Sequence, residues 1–399
     1  MNISRRDFVK TSLVSTGGLI LPRWAFPKPE DLDDFITKHM DSRFIPGLGV
    51  CIIRSGAVAW AKGYGWADIG DKIPYDPEQT LQNIGSVSKT FTATAVMQLW
   101  EQGRFKLDDD VDGFLGFKVR NPRFPEAPIT FRQLLTHRSS IKDGPANDES
   151  YACGDPQVTL KTWLEQYFTP GGDYYDAEEN FHVWKPGQEG ELPAQPRPYS
   201  NLGFGLLGHL VETISKTPFS DYCREHIFEP LGMAATSWYL KDLDLSRHAR
   251  PYSHIPAGES RRIMQEGRGR AETTSETGGF YPHCLYSFPN YPDGLVRTSV
   301  LQLARFLLAY LKEGAFEGRR ILKPETVRTI FSHDHFGGGL CWVERPLPGG
   351  SSIWAHSGGD PGINALLCFR SSDKAGFIIL ANTDDAGLGP LLLRLLQET

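Results

Sequence analysis

Residues 83–103 read NIGSVSKTFTATAVMQLWEQG. From Ser86 to Gln102 the apolar side chains recur at helical spacing, and Gly103 stands where the C-cap of a helix belongs. Ser86 lies in the first turn, where backbone N–H groups have no partner within the helix and the helix dipole is positive. Lys89 follows three residues later, on the same helical face. The stretch therefore predicts a helix that brings a serine hydroxyl and a lysine ammonium together at its N-terminus.

This pair has the composition of a nucleophile and its base. Partial desolvation of Lys89 predicts a lowered pKa, so that the amine accepts the Ser86 proton, while the serine N–H is free to bind an oxyanion. The alternative is an N-cap serine beside a solvated lysine. Two other Ser-x-x-Lys matches are interpreted as chance. Ser139 with Lys142 follows a short helix, and Ser371 with Lys374 lies in a polar turn between strands.

Strand-like runs lie at both ends of the chain, and helical patterns fill the middle. The runs cover residues 47–53, 57–65, 339–344, 352–356, 365–370 and 376–381. The helical patterns, besides 86–102, cover residues 130–137, 158–168, 202–215, 219–228, 299–313, 325–331 and 387–397. Residues 170–198 and 249–296 have no periodic pattern and are predicted to form long loops.

These patterns predict an α+β fold. Strands from both ends of the chain complete one antiparallel β-sheet, which the terminal helices flank. Residues 28–84 and 296–399 then form an α/β sheet domain, and residues 85–295 form a mostly helical inserted domain with long loops. Because ligand sites favour domain interfaces, we expect the site between the two.

Two further motifs carry groups suited to acyl transfer. Tyr199-Ser200-Asn201 is the only Tyr-x-Asn in the chain and directly precedes a helical pattern. A tyrosine near a lysine ammonium ionises more easily and exchanges protons with a leaving group. His356-Ser357-Gly358-Gly359 ends a strand-like run, and such an edge offers a backbone N–H to an oxyanion and pairs with an extended substrate.

In this order the three motifs resemble the signature of the serine β-lactamase and penicillin-binding-protein superfamily. Among its members, class C β-lactamases, D,D-carboxypeptidases, D-aminopeptidases and family VIII esterases carry Tyr-x-Asn as the second motif. The resemblance covers nearly all of the chain after residue 27. Besides the three motifs it includes residues 134–137, 184–187, 202–208, 228–233 and 360–362.

The resemblance implies an acyl-enzyme mechanism with Ser86 as the nucleophile, Lys89 as its activating base and Tyr199 as the proton shuttle. It assigns the binding of the substrate to a second group of residues. Asn201 would hold Lys89 and the acyl side of the substrate, the N–H groups of Ser86 and Gly359 would form the oxyanion hole beside Gly358, and His356 replaces the usual lysine.

That replacement bears on the substrate. A lysine gives a fixed positive charge for the carboxylate of a β-lactam, whereas His356 is largely neutral at pH 7 unless an acid such as Asp360 raises its pKa. The favoured function is therefore a serine hydrolase of a small ester or amide. A D,D-carboxypeptidase or D-aminopeptidase and a true β-lactamase remain open. The walls of the substrate pocket come from the loops 143–157, 170–198 and 249–296, and the sequence does not give the shapes of these loops.

A different functional class is a non-catalytic penicillin-binding or sensor protein on the same fold. The joint presence of Ser86, Lys89 and Tyr199 argues against it, because a binder has no need of all three. The expected partner is a small-molecule or short-peptide acyl substrate, and the oligomeric state is left open. With 42 basic and 48 acidic side chains the net charge is −6, which argues against nucleic acid as the main partner.

Residues 1–27 resemble a twin-arginine export signal, with Arg5-Arg6 ahead of a short apolar stretch. This predicts a periplasmic or secreted protein, and the alternative is a basic N-terminal helix of a cytosolic one. The chain contains no run of 18 apolar residues, so no membrane span is expected.

No metal and no cofactor is expected from the sequence. His333-Asp334-His335 contains two histidines that could ligate a metal, but it is predicted to be a solvated loop. The six cysteines show no zinc-like spacing. His137 is predicted to be structural, at a helix–loop corner. Four cysteines lie in apolar runs and are interpreted as small buried hydrophobes, while disulfide pairs stay unassigned: Cys51, Cys223, Cys341 and Cys368.

Overall fold

The computed structural model describes residues 31–188, 198–332, 338–347 and 350–399. The predicted export segment and His333-Asp334-His335 lie outside the described residues, so those interpretations stay predictions. In the described part of the chain, no helix is long and apolar enough to cross a membrane.

Eight of the ten helices of the described residues match a predicted helical pattern within a few residues at most ends, whereas α1 and α4 were not predicted. In chain order they are α1 Leu32–Arg43, α2 Lys89–Glu101, α3 Phe131–Leu135, α4 Pro145–Glu149, α5 Leu160–Phe168, α6 Asn201–Ser215, α7 Phe219–Cys223, α8 Val300–Leu311, α9 Pro324–Ile330 and α10 Leu388–Leu395. A 3₁₀ turn, Gly85–Ser88, precedes α2, so the predicted helix begins as 3₁₀ and becomes α-helical only at Lys89.

The strands are more numerous than the sequence predicts. They are β1 Gly47–Arg54, β2 Ala57–Asp68, β3 Ile73–Pro74, β4 Gln82–Asn83, β5 Ala152–Cys153, β6 Tyr252–Ile255, β7 Ser260–Gln265, β8 Gly269–Thr274, β9 Gly279–Pro282, β10 Tyr286–Ser287, β11 Arg297–Thr298, β12 Ala315–Phe316, β13 Arg319–Arg320, β14 Val343–Pro346, β15 Ser352–Asp360, β16 Ile363–Arg370 and β17 Ala375–Ala381.

One large antiparallel sheet has the strand order β14-β15-β16-β17-β1-β2-β3. Its centre joins the two ends of the chain, because β1 pairs with β17 in a register that sets Cys51 opposite Ile378. Every residue of β17 is buried, as expected of a strand covered on both faces. The predicted α+β class and the antiparallel sheet built from both chain ends are confirmed.

Each face of the sheet has its own cover. On one face α1 and α10 pack on the strands, and Ile36 and Leu391 share a core cluster with Val50 and Phe377. On the other face α8 lies between the sheet and α2, where Phe306 stacks on Phe91 with ring centroids 3.9 Å apart. Each layer therefore buries one apolar face of the sheet, and the second layer also supports α2.

Helix α2 is enclosed almost completely, since its residues from Lys89 to Leu99 are all buried. It packs mainly against α6, and just before it β4 pairs with β11 so that Asn83 lies opposite Arg297. The start of α2 is thus held between the large sheet and the helices of residues 85–295.

Residues 249–296 are not the long loop that the sequence predicts. They contain β6 to β10, with β7 and β8 paired as a hairpin and β6 paired with β9. The strands are all short, and β7 and β8 carry mostly polar, half-exposed side chains, so hydrophobic alternation is weak. A disulfide between Cys153 and Cys284 ties the segment to β5.

Two smaller predictions can also be compared with the structure. The remaining four cysteines are free and buried, as predicted. The strand predicted over 339–344 is displaced, because β14 begins only at Val343. Leu340 is buried in a turn and donates its N–H to the Ile330 carbonyl at 2.8 Å, and Cys341 has a left-handed φ of 73°.

Candidate active site

Ser86 lies in the 3₁₀ turn that leads into α2, against the edge of β15. Two glycines permit this approach. Gly85 has a φ of 50°, and a Cβ there would stand 2.9 Å from the Gly359 nitrogen. A Cβ on Gly358 would stand 2.0 Å from the Ile84 carbonyl oxygen. Only glycine therefore lets the backbone of β15 reach the turn that carries the serine.

The Lys89 ammonium is buried and held by three acceptors. Its Nζ donates to Ser86 Oγ at 3.0 Å, to Asn201 Oδ1 at 2.6 Å and to the Asp293 carbonyl oxygen at 2.7 Å. An ammonium has three donors, so the arrangement satisfies it completely. The structure therefore brings the predicted Ser86, Lys89 and Asn201 into one hydrogen-bonded group.

The predicted lowering of the Lys89 pKa is wrong. Burial does lower the pKa of Lys89, but interactions with Tyr199 and Asp293 outweigh burial and raise the pKa above its ordinary value. The lysine is therefore a cation in the resting site. The sequence by itself indicates only desolvation, because Tyr199 and the acids around Lys89 come from distant segments.

Tyr199 places its hydroxyl beside both Ser86 and Lys89, with Lys89 Nζ 5.1 Å from the ring centroid. Burial raises the pKa of Tyr199, and the opposing effects of the Lys89 charge and the hydrogen bond with Ser86 do not reverse the shift. The prediction that this tyrosine ionises more easily is thus wrong for the resting site, where the phenol is neutral. The residue as a whole is 38% exposed, so it lies where a substrate can reach it.

His137 packs against the ring of Tyr199. Its backbone has a left-handed φ of 58°, and its ring stacks on the Tyr199 ring with centroids 4.2 Å apart. Its Nδ1 lies 3.1 Å from the Ser200 nitrogen and accepts that N–H, so the proton of the neutral ring is on Nε2. The prediction of a structural role agrees with these contacts, and the histidine positions the tyrosine.

Asp143 fixes the start of α6 and was missed in the sequence. Its carboxylate accepts the backbone N–H groups of Asn201 at 2.8 Å and of Leu202 at 3.0 Å. Ser200, the N-cap, accepts the Gly203 N–H at 3.0 Å through its hydroxyl. The negative charge at a helix N-terminus is favourable, and it anchors the Asn201 side chain that contacts Lys89. Asp143 lies 58 residues from Asn201, so no local pattern signals it.

His356 is buried in β15 as a neutral ring. Its Nδ1 lies 2.9 Å from the Ser357 carbonyl oxygen, which can only accept, so Nδ1 carries the proton and Nε2 is an acceptor. Burial, with a smaller effect from the Lys89 charge, lowers the pKa of His356 to about 4. The alternative of a histidine protonated by Asp360 is therefore wrong. Asp360 instead accepts a hydrogen bond from the Tyr151 hydroxyl at 2.6 Å.

Two carboxyl groups near Lys89, the buried Asp293 and the half-buried Asp360, were not predicted as site residues. Burial raises the pKa of Asp293 to about 7 and that of Asp360 to about 6. Asp293 accepts a hydrogen bond from the Asn290 amide at 2.6 Å. Its only sequence signal is the dipeptide Asp293-Gly294 in a turn, which is common and uninformative.

Residues of metal-binding type come together at one place in the described ranges, where Cys153, Glu266 and Cys284 are neighbours. The two sulfur atoms of this group are joined in the disulfide, which leaves neither as a thiolate ligand.

A family model described as "Beta-lactamase" matches residues 32–398, which is most of the chain. The chain is 28% identical over 209 residues to Protein flp of Staphylococcus aureus strain MRSA252, which covers 52% of this chain. It spans only 38% of the length of that relative. It is 26% identical over 353 residues to penicillin-binding protein 4* of Bacillus subtilis strain 168, covering 84% of this chain and 68% of the relative.

The fold is also similar to that of solved structures. The octameric penicillin-binding protein homologue from Pyrococcus abyssi superposes with a TM-score of 0.67 at 26% sequence identity. The superposition covers 92% of this chain and 77% of the other. The family match and this similarity lead to the same fold that the sequence motifs predict.

Proposed function

We propose that this chain, which belongs to the beta-lactamase family, is a serine hydrolase that forms an acyl-enzyme at Ser86. The observation that carries the proposal is the contact between Lys89 Nζ and Ser86 Oγ at 3.0 Å, with the Tyr199 hydroxyl beside both. The substrate proposed is a small ester or amide.

Acylation begins when Ser86 Oγ attacks the carbonyl carbon of the substrate. The Ser86 proton passes to the Tyr199 oxygen while the Tyr199 proton passes to the leaving group, so a neutral tyrosine suffices and no charge is created on it. The Lys89 cation stabilises the negative charge that develops along this path. The N–H groups of Ser86 and Gly359 bind the oxyanion. Water then attacks the acyl carbon, Tyr199 takes the water proton while its own proton passes to Ser86 Oγ, and the bond between Ser86 Oγ and the acyl carbon breaks to release the acid.

The proposal is tested with a substrate panel on the purified chain and its Ser86→Ala variant. The panel contains p-nitrophenyl esters, D-alanyl peptides, D-amino-acid amides and nitrocefin. We expect Ser86-dependent turnover of an ester or amide well above that of nitrocefin. Labelling by penicillin with no turnover of any compound would instead indicate a non-catalytic penicillin-binding protein. Two of the similar proteins are named as a penicillin-binding protein or a homologue of one.

The His356→Lys substitution is expected to raise the acylation rate with carboxylate-bearing β-lactams by roughly tenfold to a hundredfold. A neutral imidazole offers little charge to a carboxylate, whereas a charged hydrogen bond contributes about 1.5–3 kcal/mol. The measurement is the second-order rate constant of acylation by a labelled penicillin. A carboxylate-free ester serves as the control, because its acylation gains nothing from the added charge.

The pH dependence of the unmodified protein gives a second check on His356. Because its pKa is lowered to about 4, the ring stays neutral as the pH falls through 6.5, the usual histidine value. β-Lactam acylation should therefore show no rise around pH 6.5. A rise there would mean that a protonated His356 already serves as the cation.

We further propose that the protein is exported in the folded state to the periplasm or medium. The support is the Arg5-Arg6 pair ahead of a short apolar stretch. Replacing both arginines, Arg5→Lys with Arg6→Lys, should leave the protein in the cytoplasm, as measured by immunoblotting of cell fractions. Lys10→Arg, which keeps the pair, is the matched control. Unchanged export of the double variant would contradict the proposal.

A further inference from the structure

A cavity of about 570 Å³ opens beside the end of β15. Its lining includes Gly359, which offers the oxyanion N–H, and the next residue, Asp360. Tyr151, Arg270 and Asn364 line the same space. Ser86, Lys89 and Tyr199 do not line the cavity, which therefore adjoins the reacting centre only at Gly359 and continues past a carboxylate that has no part in the proton path.

The Asp360 carboxylate is held in one position. The Tyr151 hydroxyl donates to its Oδ1 at 2.6 Å, and the Tyr151 ring packs on Phe288 with centroids 4.5 Å apart. Below it, a Cβ added to Gly294 would lie 3.6 Å from Asp360 Oδ2, so the turn approaches closely. A carboxylate fixed by a tyrosine within an aromatic wall is preorganised for a ligand.

The Asp360 carboxylate forms no salt bridge with another side chain of the described residues, and Lys89 and Arg270 act on it only at longer range. Burial raises the pKa of Asp360 to about 6, which leaves the carboxylate largely ionised at pH 7. A half-buried carboxylate without a counter-ion favours a cationic ligand.

The geometry also sets which part of the substrate lies there. Tyr199 protonates the leaving group in the proposed mechanism. It stacks on His137, which lies near enough to His356 for their charges to interact, so Tyr199 lies toward the His356 end of the strand. Asp360 is four residues further along β15, about 13 Å at the usual rise per residue, and beyond the oxyanion N–H of Gly359. An acyl group that extends away from the leaving group therefore runs toward Asp360.

We propose that Asp360 is a specificity residue that binds an ammonium group on the acyl side of the substrate, so that the preferred substrates are aminoacyl amides, esters or short peptides with a free α-amine. This inference rests on the proposed hydrolase function and narrows its substrate class. The ammonium donates to the free lone pairs of the Asp360 carboxylate while the carbonyl carbon is attacked by Ser86. Arg270, whose guanidinium lies over the Tyr151 ring at 5.1 Å, offers the competing possibility of an anionic acyl group.

The test compares p-nitroanilides that differ only on the acyl side. Alanyl p-nitroanilide, in its D and L forms, is compared with propionyl p-nitroanilide, which lacks the amine, and with N-acetylalanyl and succinyl p-nitroanilides. We expect kcat/KM for one alanyl enantiomer to exceed that for the propionyl compound by about tenfold to a hundredfold, the range of a charged hydrogen bond. The N-acetylalanyl compound should lose this advantage.

Asp360→Asn keeps an acceptor for Tyr151 and removes the charge. In this variant the ratio of alanyl to propionyl kcat/KM should fall to near one. Asp385→Asn removes an exposed carboxylate that lines the same cavity but already pairs with Arg261, so this variant should keep the wild-type ratio. The rate with the propionyl compound shows whether the reacting centre of each variant is intact. The ratio of alanyl to propionyl kcat/KM in the unmodified protein tests the inference even if one variant does not fold.

Three results would overturn the inference. These are a wild-type ratio near one, an unchanged ratio in Asp360→Asn, and a preference for the succinyl compound that Arg270→Gln removes. The proposed hydrolase function fails separately, if no p-nitroanilide or ester is turned over and Ser86 is not labelled by a fluorophosphonate. Turnover of the propionyl compound without an amine preference would therefore leave the hydrolase and remove only the role of Asp360.

Discussion

Ser86→Ala should abolish both turnover and covalent labelling by a fluorophosphonate or a labelled penicillin. The loss in kcat is expected to be roughly a millionfold, as when the nucleophile of another serine hydrolase is removed. The reason is that Ser86 Oγ is the hydroxyl that Lys89 Nζ contacts, at 3.0 Å, at the start of α2. Mass spectrometry of the labelled protein and steady-state rates with the best ester of the panel measure the two effects.

The matched controls are the serines of the other two Ser-x-x-Lys matches. Ser139 is buried, and its hydroxyl accepts the Ile141 N–H at 3.4 Å. Ser371 is exposed in the turn after β16, at the opposite end of that strand from Asn364, which pairs with Gly359 near Ser86. Ser139→Ala and Ser371→Ala should both keep labelling. If either removed it while Ser86→Ala did not, the nucleophile would have been assigned to the wrong match.

Ser86→Ala should keep the fold, and the unfolding temperature of the variant measures this. Ser86 is only partly buried, and its side chain makes its described contacts with Lys89 and Tyr199. Replacing it by alanine leaves the Lys89 ammonium with Asn201 and the Asp293 carbonyl. The variant should therefore unfold close to the temperature of the unmodified protein.

The parts of the fold that the sequence predicts are those with a local signature. Helix α2 shows its periodicity and its Ser-x-x-Lys within 20 residues, and β17 is a continuous apolar run. The antiparallel sheet follows because such runs occur at both ends of the chain. The polar hairpin of β7 and β8 has no such signature, since its strands alternate weakly and are stabilised by pairing with each other.

The parts of the site that the sequence does not predict are held by contacts between distant segments. Lys89 meets the Asp293 carbonyl across 204 residues, and Asp143 reaches the start of α6 across 58. Tyr199 and these acids together raise the Lys89 pKa, whereas burial by itself lowers it. A motif therefore identifies which side chains meet, whereas their protonation depends on neighbours that only the folded chain brings together.

Tyr199→Phe should lower kcat for amide substrates by roughly a hundredfold to ten-thousandfold, the usual contribution of general acid–base catalysis. The phenylalanine keeps the stacking on His137, 4.2 Å between centroids, and removes only the hydroxyl next to Ser86 and Lys89. KM and the unfolding temperature should change little. Tyr174→Phe is the control, because Tyr174 is similarly exposed, at 36% against 38%, and packs on Trp163 away from the nucleophile.

Substrates with different leaving groups distinguish the two proton transfers of Tyr199, from Ser86 and to the leaving group. An amide nitrogen must be protonated as it departs, whereas p-nitrophenolate leaves without a proton, so the loss in Tyr199→Phe should be much smaller for p-nitrophenyl esters than for amides. Equal losses for both would mean that the tyrosine serves mainly to take the Ser86 proton. A loss below about tenfold for both would assign the proton to Lys89 alone, which must then reach its neutral form against the acids that hold it charged. Because those acids raise the Lys89 pKa, we expect the tyrosine to carry the proton and the amide to show the larger loss.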